Sequence, residues 1–175
     1  WGNKNPSTDN DQLVEWKQWT KNIKHTDNNP LNNYPYFKNK SYTYKTMTEL
    51  QNTIKDNTTL IFLTDDYQWF EQDRNLENGI IIDKSIIIDG QGHTIDANHK
   101  MRIFQVTNNA MITFKNIIFL NGWTAKNGYG GAVWNNGGDI TNCIFTNNDA
   151  KWLGGAIYNN ENMIVKNTTF KNNKA

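Results

Sequence analysis

The sequence lacks disulfide-forming cysteine pairs and long apolar runs. It has a single cysteine, Cys143, among 175 residues, so no internal disulfide can form. This scarcity fits a cytosolic protein and an exported protein of an anaerobe equally well. All three prolines lie within residues 1–44. No apolar run approaches the roughly 20 residues that a helix needs to span a bilayer. The sequence therefore predicts no membrane contact within this segment.

Charge of either sign is also scarce. Eighteen basic and 17 acidic residues give a net charge of +1, and the lysines are scattered singly. Without a basic run, nucleic acid is not an expected partner. The three histidines show no metal-ligand spacing, and "GQGHT" lacks the G-x-G-x-x-G pattern of dinucleotide sites. We therefore expect no metal and no cofactor.

What the chain has in excess is asparagine, at 30 residues. Asparagine favours turns and tolerates left-handed backbone, and its amide can bond to a copy of itself in a stacked strand. Three N-x-S/T sequons, beginning at Asn39, Asn57 and Asn167, are weak indications of export in so asparagine-rich a chain.

Two segments differ in composition. Residues 1–44 are rich in asparagine, proline and aromatic residues, and "DQLVEWKQWTKNIKH" predicts one amphipathic helix over about 11–24. In residues 45–175, "TMTELQNTIKD" predicts a short helix over about 48–56, with Thr48 as its N-cap. Such a helix would cover the open end of a stacked sheet.

Short strand patterns with two- to five-residue turns fill the remainder. The predicted strands are residues 60–64, 79–83, 85–89, 93–96, 102–106, 111–114, 116–119, 131–134, 139–142, 143–145, 155–158, 163–166 and 168–170. They are too short for an immunoglobulin-like sandwich. No helical pattern longer than a turn or two follows residue 57, which excludes a β-α-β protein.

An internal repeat decides the architecture. "GGAVWNN" at 130–136 returns as "GGAIYNN" at 154–160, and "FTNNDA" at 145–150 returns as "FKNNKA" at 170–175. A period of 24–26 residues with two or three strands per copy predicts a parallel β-helix, an all-β fold. We expect Val133 to stack on Ile157, and Ile140 on Ile164 or Val165.

Each conserved position of the repeat has an expected structural role. Phe119, Phe145 and Phe170 should stack on one another in the interior. Gly-Gly should form the corner at positive φ, and Asn-Asn should form a ladder and adopt left-handed backbone. These roles need no ligand.

The motifs resemble a known family. "GGA[VI]" with "F-x-N-N-x-A" is similar to repeats of chlamydial polymorphic outer-membrane proteins. The order of "TELQNTIKD", "IDKSIIIDGQGHTID" and the GGA repeats resembles more closely the adhesin-like surface proteins of methanogenic archaea. The resemblance covers roughly residues 45–175. It implies a right-handed parallel β-helix of the pectin-lyase-like type, with an N-terminal helical cap, on an extracellular, cell-surface protein.

Enzymes also occur on such folds, so a polysaccharide lyase or glycoside hydrolase is an alternative. These reactions need paired carboxylates or clustered acids with a base. The candidate acids are Asp65, Asp66, Asp83, Asp89, Asp96 and Asp139. They form no convincing catalytic constellation in the sequence, and Asp89 and Asp96 are better interpreted as turn-stabilising residues. We therefore predict no catalytic residue.

An aromatic surface is the candidate site. Its members are Trp123, Tyr129, Trp134, Trp152 and Tyr158. Trp134 and Tyr158 occupy equivalent repeat positions, so their rings should stack or lie edge to edge about 5 Å apart. Because Val133 is interior, strand alternation predicts an outward Trp134. The rings would form a platform for a sugar or a peptide, although they are core residues if they point inward.

The favoured interpretation is a cell-surface adhesin-like module that binds a glycan or protein of another cell. The alternatives are the enzyme and a passive stalk or spacer. Because the chain stops within a repeat without a cap, we expect a C-terminally truncated segment, with further repeats after Ala175.

Overall fold

Short β-strands joined by polar turns make up most of the chain in the computed structural model, which describes residues 43–56, 59–124 and 128–175. The described helices are α1 (Met47–Asp56) and a 3₁₀ helix (Glu71–Leu76). The strands are β1 (Lys45–Thr46), β2 (Leu60–Phe62), β3 (Tyr67–Gln68), β4 (Ile80–Ile82), β5 (Ile86–Asp89), β6 (Thr94–Asp96), β7 (Phe104–Val106), β8 (Ile112–Lys115), β9 (Ile118–Leu120), β10 (Trp123–Thr124), β11 (Val133–Asn135), β12 (Gly138–Thr141), β13 (Ile144–Thr146), β14 (Asp149–Ala150), β15 (Ile157–Asn159), β16 (Met163–Lys166) and β17 (Thr169–Lys171). The helix predicted over about 11–24 lies outside the described residues.

The strands form parallel sheets, which confirms an all-β parallel architecture with few helices. Sheet A has the order β1-β3-β6-β9-β13-β17, sheet B β2-β5-β8-β12-β16, sheet C β4-β7-β11-β15, and sheet D β10-β14. From β8 onward, consecutive strands visit sheets B, A, D and C in turn and then return to B. Each predicted strand has a counterpart whose ends lie within two residues of the prediction.

The repeat sets the register between neighbouring strands. Val133 pairs with Ile157, as predicted, and Ile140 pairs with Val165 rather than with Ile164. Residues that pair in register on neighbouring parallel strands point to the same face of the sheet. Equivalent side chains, 24–25 residues apart, therefore lie on the same face. Equivalent apolar residues are thereby aligned in rows, and the buried ones form one core cluster.

The phenylalanine row is stacked as predicted. Phe119 and Phe145 pair across β9 and β13, with ring centroids 4.4 Å apart and planes 6° apart. Phe145 and Phe170 follow at 5.2 Å and 10°. Phe145 is fully buried, whereas Phe170 in the last strand is 49% exposed. The row therefore loses its cover towards β17.

The Gly-Gly corners adopt the predicted backbone. Gly130 has φ +64° and Gly154 has φ +68°. A Cβ at Gly130 would lie 2.2 Å from the carbonyl oxygen of Val133, so the corner is closed to any larger residue. The corner brings Val133 into β11 directly behind the turn.

The prediction of left-handed backbone at the Asn-Asn pairs is wrong for the pairs that follow Gly-Gly-Ala and correct for the pairs that follow sheet A. Asn135 and Asn159 are the last residues of β11 and β15, where the backbone is extended. After sheet A, positive φ occurs at Asn147 and Asn172, the first residues of the Asn-Asn pairs in "FTNNDA" and "FKNNKA". It also occurs at single asparagines in turns: Asn121 after sheet A, and Asn116, Asn142 and Asn167 after sheet B. Asparagine suits these turns because its short polar side chain tolerates the left-handed region.

The predicted amide ladder is confirmed. The Nδ2 of Asn135 donates to Oδ1 of Asn159 at 3.0 Å, and the Nδ2 of Asn160 donates to Oδ1 of Asn136 at 3.1 Å. A second ladder links the turns after sheet B, where Asn142 donates to Asn116 at 3.2 Å. The excess of asparagine thus has a structural use at more than one corner.

Helix α1 lies where a helix is predicted over about 48–56, but its N-cap is not Thr48. Thr46 accepts from the N–H of Glu49 at 3.1 Å, and Glu49 accepts from the N–H of Thr46 at 2.7 Å. This reciprocal pair is a capping box that begins two residues earlier than predicted. Thr48 instead donates its hydroxyl to Asp73 at 2.6 Å. The helix buries Met47, Leu50 and Ile54 in the core beside the first strands.

Candidate functional site

Four of the five predicted aromatic residues lie in contact. Tyr129 is at the centre, with its ring centroid 4.7 Å from Tyr158, 5.5 Å from Trp152 and 6.1 Å from Trp134. Trp134 and Tyr158 also contact each other, at 6.4 Å. We refer to Tyr129, Trp134, Trp152 and Tyr158 as the aromatic cluster.

Strand register positions the aromatic cluster. Trp134 pairs with Tyr158 across β11 and β15, and Tyr129 forms an isolated parallel bridge with Leu153. Val133 is fully buried while Trp134 is only partly buried, so Trp134 lies on the outer face of sheet C. The alternation argument from the sequence therefore gives the correct face for this residue.

The rings do not form the stacked platform that the repeat predicts. The planes of Trp134 and Tyr158 meet at 73°, edge to face, at 6.4 Å rather than about 5 Å. Tyr129 contacts both rings and is tilted 39° to one and 49° to the other. The indole of Trp134 and the phenol of Tyr158 differ in size, and the ring of Tyr129 packs against both. The three rings therefore do not lie parallel to one another.

Trp152 forms the most exposed edge of the aromatic cluster. It is 53% exposed, and the adjacent Leu153 is 54% exposed. A Cβ on Gly128 would lie 2.8 Å from the indole of Trp152, so only glycine lets that ring rest on the backbone. The result is an outward indole on a support of other side chains, a geometry that leaves apolar surface in water.

A buried arginine supports the aromatic cluster from below. Arg102 is only 1% exposed, and its guanidinium donates to the backbone carbonyls of Tyr129 at 2.8 Å and Gly130 at 3.1 Å. It also donates to Asn78 O at 3.0 Å. The Cζ of Arg102 lies 5.1 Å from the centroid of a Trp134 ring, within the range of a cation–π contact. Arg102 therefore fixes both the backbone and one ring.

Among the described residues, no acidic side chain forms an ion pair with Arg102. The ion pairs found there join other residues. Burial lowers the pKa of Arg102 to about 10, which leaves the guanidinium protonated at neutral pH. Carbonyl dipoles and the Trp134 ring compensate the charge instead. Arg102 was not recognised as a site residue from the sequence. The sequence marks this residue only weakly: Arg102 is one of two arginines, and its neighbours in Met101–Phe104 are apolar.

Trp123 is separate from the aromatic cluster. It lies in β10, where it pairs with Asp149 of β14, and it is 39% exposed. No ring contact among the described aromatic residues includes it. The sequence grouped Trp123 with the others by proximity along the chain, but sheet D places it beside a different set of side chains.

The candidate carboxylates are dispersed among structural roles. Asp89 accepts from the N–H of Gln91 at 3.1 Å, and Asp96 accepts from the N–H of Asn98 at 2.8 Å, as expected of turn residues. Asp65 forms an ion pair with Lys45 at 2.6 Å. The hydrogen bond from Lys45 lowers the pKa of Asp65.

Two further carboxylates are also engaged. Asp66 accepts from the backbone N–H of Thr94 at 2.8 Å and lies 3.1 Å from Nδ1 of His93. Asp73, which the sequence analysis overlooked, is fully buried and holds the start of α1. Asp83 and Asp139 are exposed, and Asp139 lies between Thr113 and Ile164 in sheet B. Asp65, Asp66, Asp89 and Asp96 thus each make a contact that stabilises the fold.

No protein family, curated protein or solved structure matches the chain. Within the described ranges, histidine, cysteine and acidic side chains do not gather in groups of three that could hold a metal ion. None of the described helices has the length and hydropathy to cross a membrane.

Proposed function

We propose that the chain is a right-handed parallel β-helix that serves as a binding and structural module at a cell surface. The recurring visit to sheets B, A and C with in-register pairing supports the coiled path. Connections between parallel strands of one sheet are right-handed in about 98% of cases, which supports the hand. The motif resemblance to adhesin-like surface proteins supports the location.

The aromatic cluster is the proposed contact surface, and a protein is the proposed partner. Tryptophan, tyrosine and arginine dominate the binding energy of protein interfaces. Trp152 rests against the ring of Tyr129, which in turn packs against Trp134 and Tyr158. A sugar ring would lie best against a flat aromatic face, whereas these rings meet at 39° to 76°. An irregular apolar surface suits the side chains of a protein better.

A cost at Trp134 supports a role beyond folding. Its indole N–H is buried and has no hydrogen-bond partner in the described part of the chain. A buried donor left unsatisfied costs about 1–3 kcal/mol. Phenylalanine at this position would avoid that cost, and local conflicts of this type concentrate at functional positions.

Binding to arrayed, purified cell-surface proteins and glycans tests this proposal. We expect a protein ligand whose affinity falls at least about tenfold in Trp152→Ala, because a central interface aromatic contributes about 2 kcal/mol or more. Phe62→Ala is the matched control, since Phe62 is 57% exposed but lies on β2, outside the aromatic cluster. Thermal unfolding of each variant would verify that it is folded.

Three other outcomes would contradict the proposal. An array without any ligand would favour the passive stalk. Glycan binding that Trp152→Ala abolishes would make the aromatic cluster a saccharide site. Depolymerisation of a polyuronate that Asp89→Asn or Asp139→Asn removes would favour the polysaccharide lyase or hydrolase.

A further inference from the structure

A polar groove lies beside the turns that follow the last strands of sheet A. Its volume is about 650 Å³, and it is lined by Asn147, Asn172, Asp149, His99 and Lys174, among others. A groove of this size is large enough for one or two sugar rings, since small-molecule sites span about 300–1,000 Å³. It contains none of the residues of the aromatic cluster.

The floor of the groove is fixed by amides that are fully used. Asn148 donates Nδ2 to Oδ1 of Asn173 at 2.9 Å and accepts from the N–H of Gly122 at 2.7 Å. Asn173 in turn donates to the carbonyl of Phe145 at 2.9 Å. Asn148 is fully buried. These two side chains hold the strands and leave nothing to bind a ligand, but they make the groove rigid.

The wall residues, by contrast, keep their polar atoms available. Asn147 and Asn172 occupy equivalent turn positions one repeat apart, at φ 55° and 54°. In the described structure their side-chain amides form no hydrogen bond, and neither does the carboxylate of Asp149. The equivalent Asn121 differs, because its Nδ2 donates to Asp96 at 2.9 Å. The last two repeats therefore present two free amides and one free carboxylate together.

Trp123 does not line the groove but is the strand neighbour of one lining residue, Asp149. It pairs with Asp149 in sheet D, and both side chains lie on the outer face, because the alternate residues Thr124 and Ala150 are buried. Trp123 is 39% exposed and contacts none of the other described rings. An indole beside amide and carboxylate groups offers an apolar face with hydrogen-bonding groups at its edge.

We propose that this groove binds a neutral saccharide. The amides of Asn147 and Asn172 and the carboxylate of Asp149 bind hydroxyl groups, and Trp123 covers the C–H face of a sugar ring. Amides both donate and accept, so they match hydroxyl groups without requiring charge on the ligand. Asp149 and Lys174 offset each other in charge, so the groove has no excess of positive charge that would select a polyanion. This site is independent of the protein-binding role proposed for the aromatic cluster.

Titration of the ¹⁵N-labelled chain with neutral hexasaccharides of glucose, mannose and galactose tests the proposal. We expect one of them to shift the side-chain amide signals of Asn147 and Asn172 saturably, with a Kd of about 1 mM or tighter. Asn147→Gly and Trp123→Ala should each weaken binding at least about tenfold. Glycine retains the positive φ at position 147, so this variant keeps the turn.

Matched variants separate this site from the aromatic cluster. Asn142→Gly changes an equivalent left-handed asparagine at the other turn, and Trp152→Ala changes the aromatic cluster; both should bind the saccharide as the wild type does. Absence of any shift with the three hexasaccharides would overturn the proposal, as would equal binding by Asn147→Gly and Trp123→Ala. Preference for oligogalacturonate over all three would overturn the neutral ligand. Loss of binding in Trp152→Ala would move the site to the aromatic cluster.

Discussion

The chain contains two groups of aromatic side chains in neighbouring parts of the same repeats, and they are built differently. Phe119, Phe145 and Phe170 stack with planes within 10° of each other. In the aromatic cluster, each pair of contacting rings meets at an angle between 39° and 76°. The first group comes from one residue type in register, and the second combines tryptophan with tyrosine.

The difference shows which repeated positions packing controls. An interior row keeps an apolar residue at each level, because every side chain packs against those above and below it. The row of Phe119, Phe145 and Phe170 continues through Ile95 and Tyr67, so its residue type changes while its apolar character does not. On the outer face of sheet C even that character varies, from Gln105 to Trp134 to Tyr158. A position that packing does not restrict is free to serve recognition.

The largest effect is expected in the phenylalanine row. Phe145→Ala removes a fully buried ring with a neighbour on each side and should lower the free energy of unfolding by about 3–5 kcal/mol. Phe170→Ala should cost less than half as much, because Phe170 is 49% exposed. Denaturant unfolding measures both. Equal losses would show that Phe170 is as well covered in solution as Phe145.

The next effect concerns the support of the aromatic cluster. Arg102→Met should cost about 3 kcal/mol, because it leaves the carbonyls of Tyr129 and Gly130 without their donor. It should also reduce the near-ultraviolet circular dichroism of the packed rings.

The chain's other arginine provides the matched control. Arg74 is exposed, and among the described residues it pairs with Glu71 alone, so Arg74→Met should change stability by less than about 0.5 kcal/mol. An Arg102→Met variant of wild-type stability would mean that the aromatic cluster supports itself.

A smaller effect distinguishes the two kinds of asparagine. At Asn142, with φ 55°, alanine should cost about 1 kcal/mol more than glycine, because only glycine adopts this φ without strain. At Asn135, in the extended strand β11, the order should reverse, since glycine weakens a strand by roughly 0.5–1 kcal/mol relative to alanine. The same order at both positions in thermal unfolding would contradict the assigned backbone conformations.

The sequence predicts the stacked parts of the fold well, because the repeat fixes register. The pairs Val133–Ile157 and Phe145–Phe170, and the ladder from Asn135 to Asn159, all follow from one alignment. The two-residue strands β1, β3, β10 and β14 were not predicted, because two residues carry no periodicity.

The candidate site was less accessible from the sequence. Ring angles depend on how unlike side chains pack in three dimensions, so the tilt at Trp134 could not be predicted from its repeat position. Arg102 and Asp73 act through partners 22–28 residues away in most of their hydrogen bonds, and no local motif marks such contacts. The protein-binding surface, the saccharide groove, the coiled path of the chain and its hand stay predictions.

The smallest effect is expected at Asp89, which begins the ladder of Asn116 and Asn142. Burial raises the pKa of Asp89, but hydrogen bonds from Asn116 and Gln91 outweigh it and leave the pKa below its usual value.

A carboxyl with a depressed folded-state pKa stabilises the fold above its unfolded pKa of about 3.9, and this contribution is lost as pH falls through the folded-state pKa. Asp89→Asn keeps an acceptor for Asn116 without the charge, so it should cost about 1 kcal/mol at pH 7. That difference from the wild type should shrink as pH falls below about 4. A constant difference between pH 7 and pH 2.5 in denaturant unfolding would mean that the ladder does not depend on the charge at its first residue.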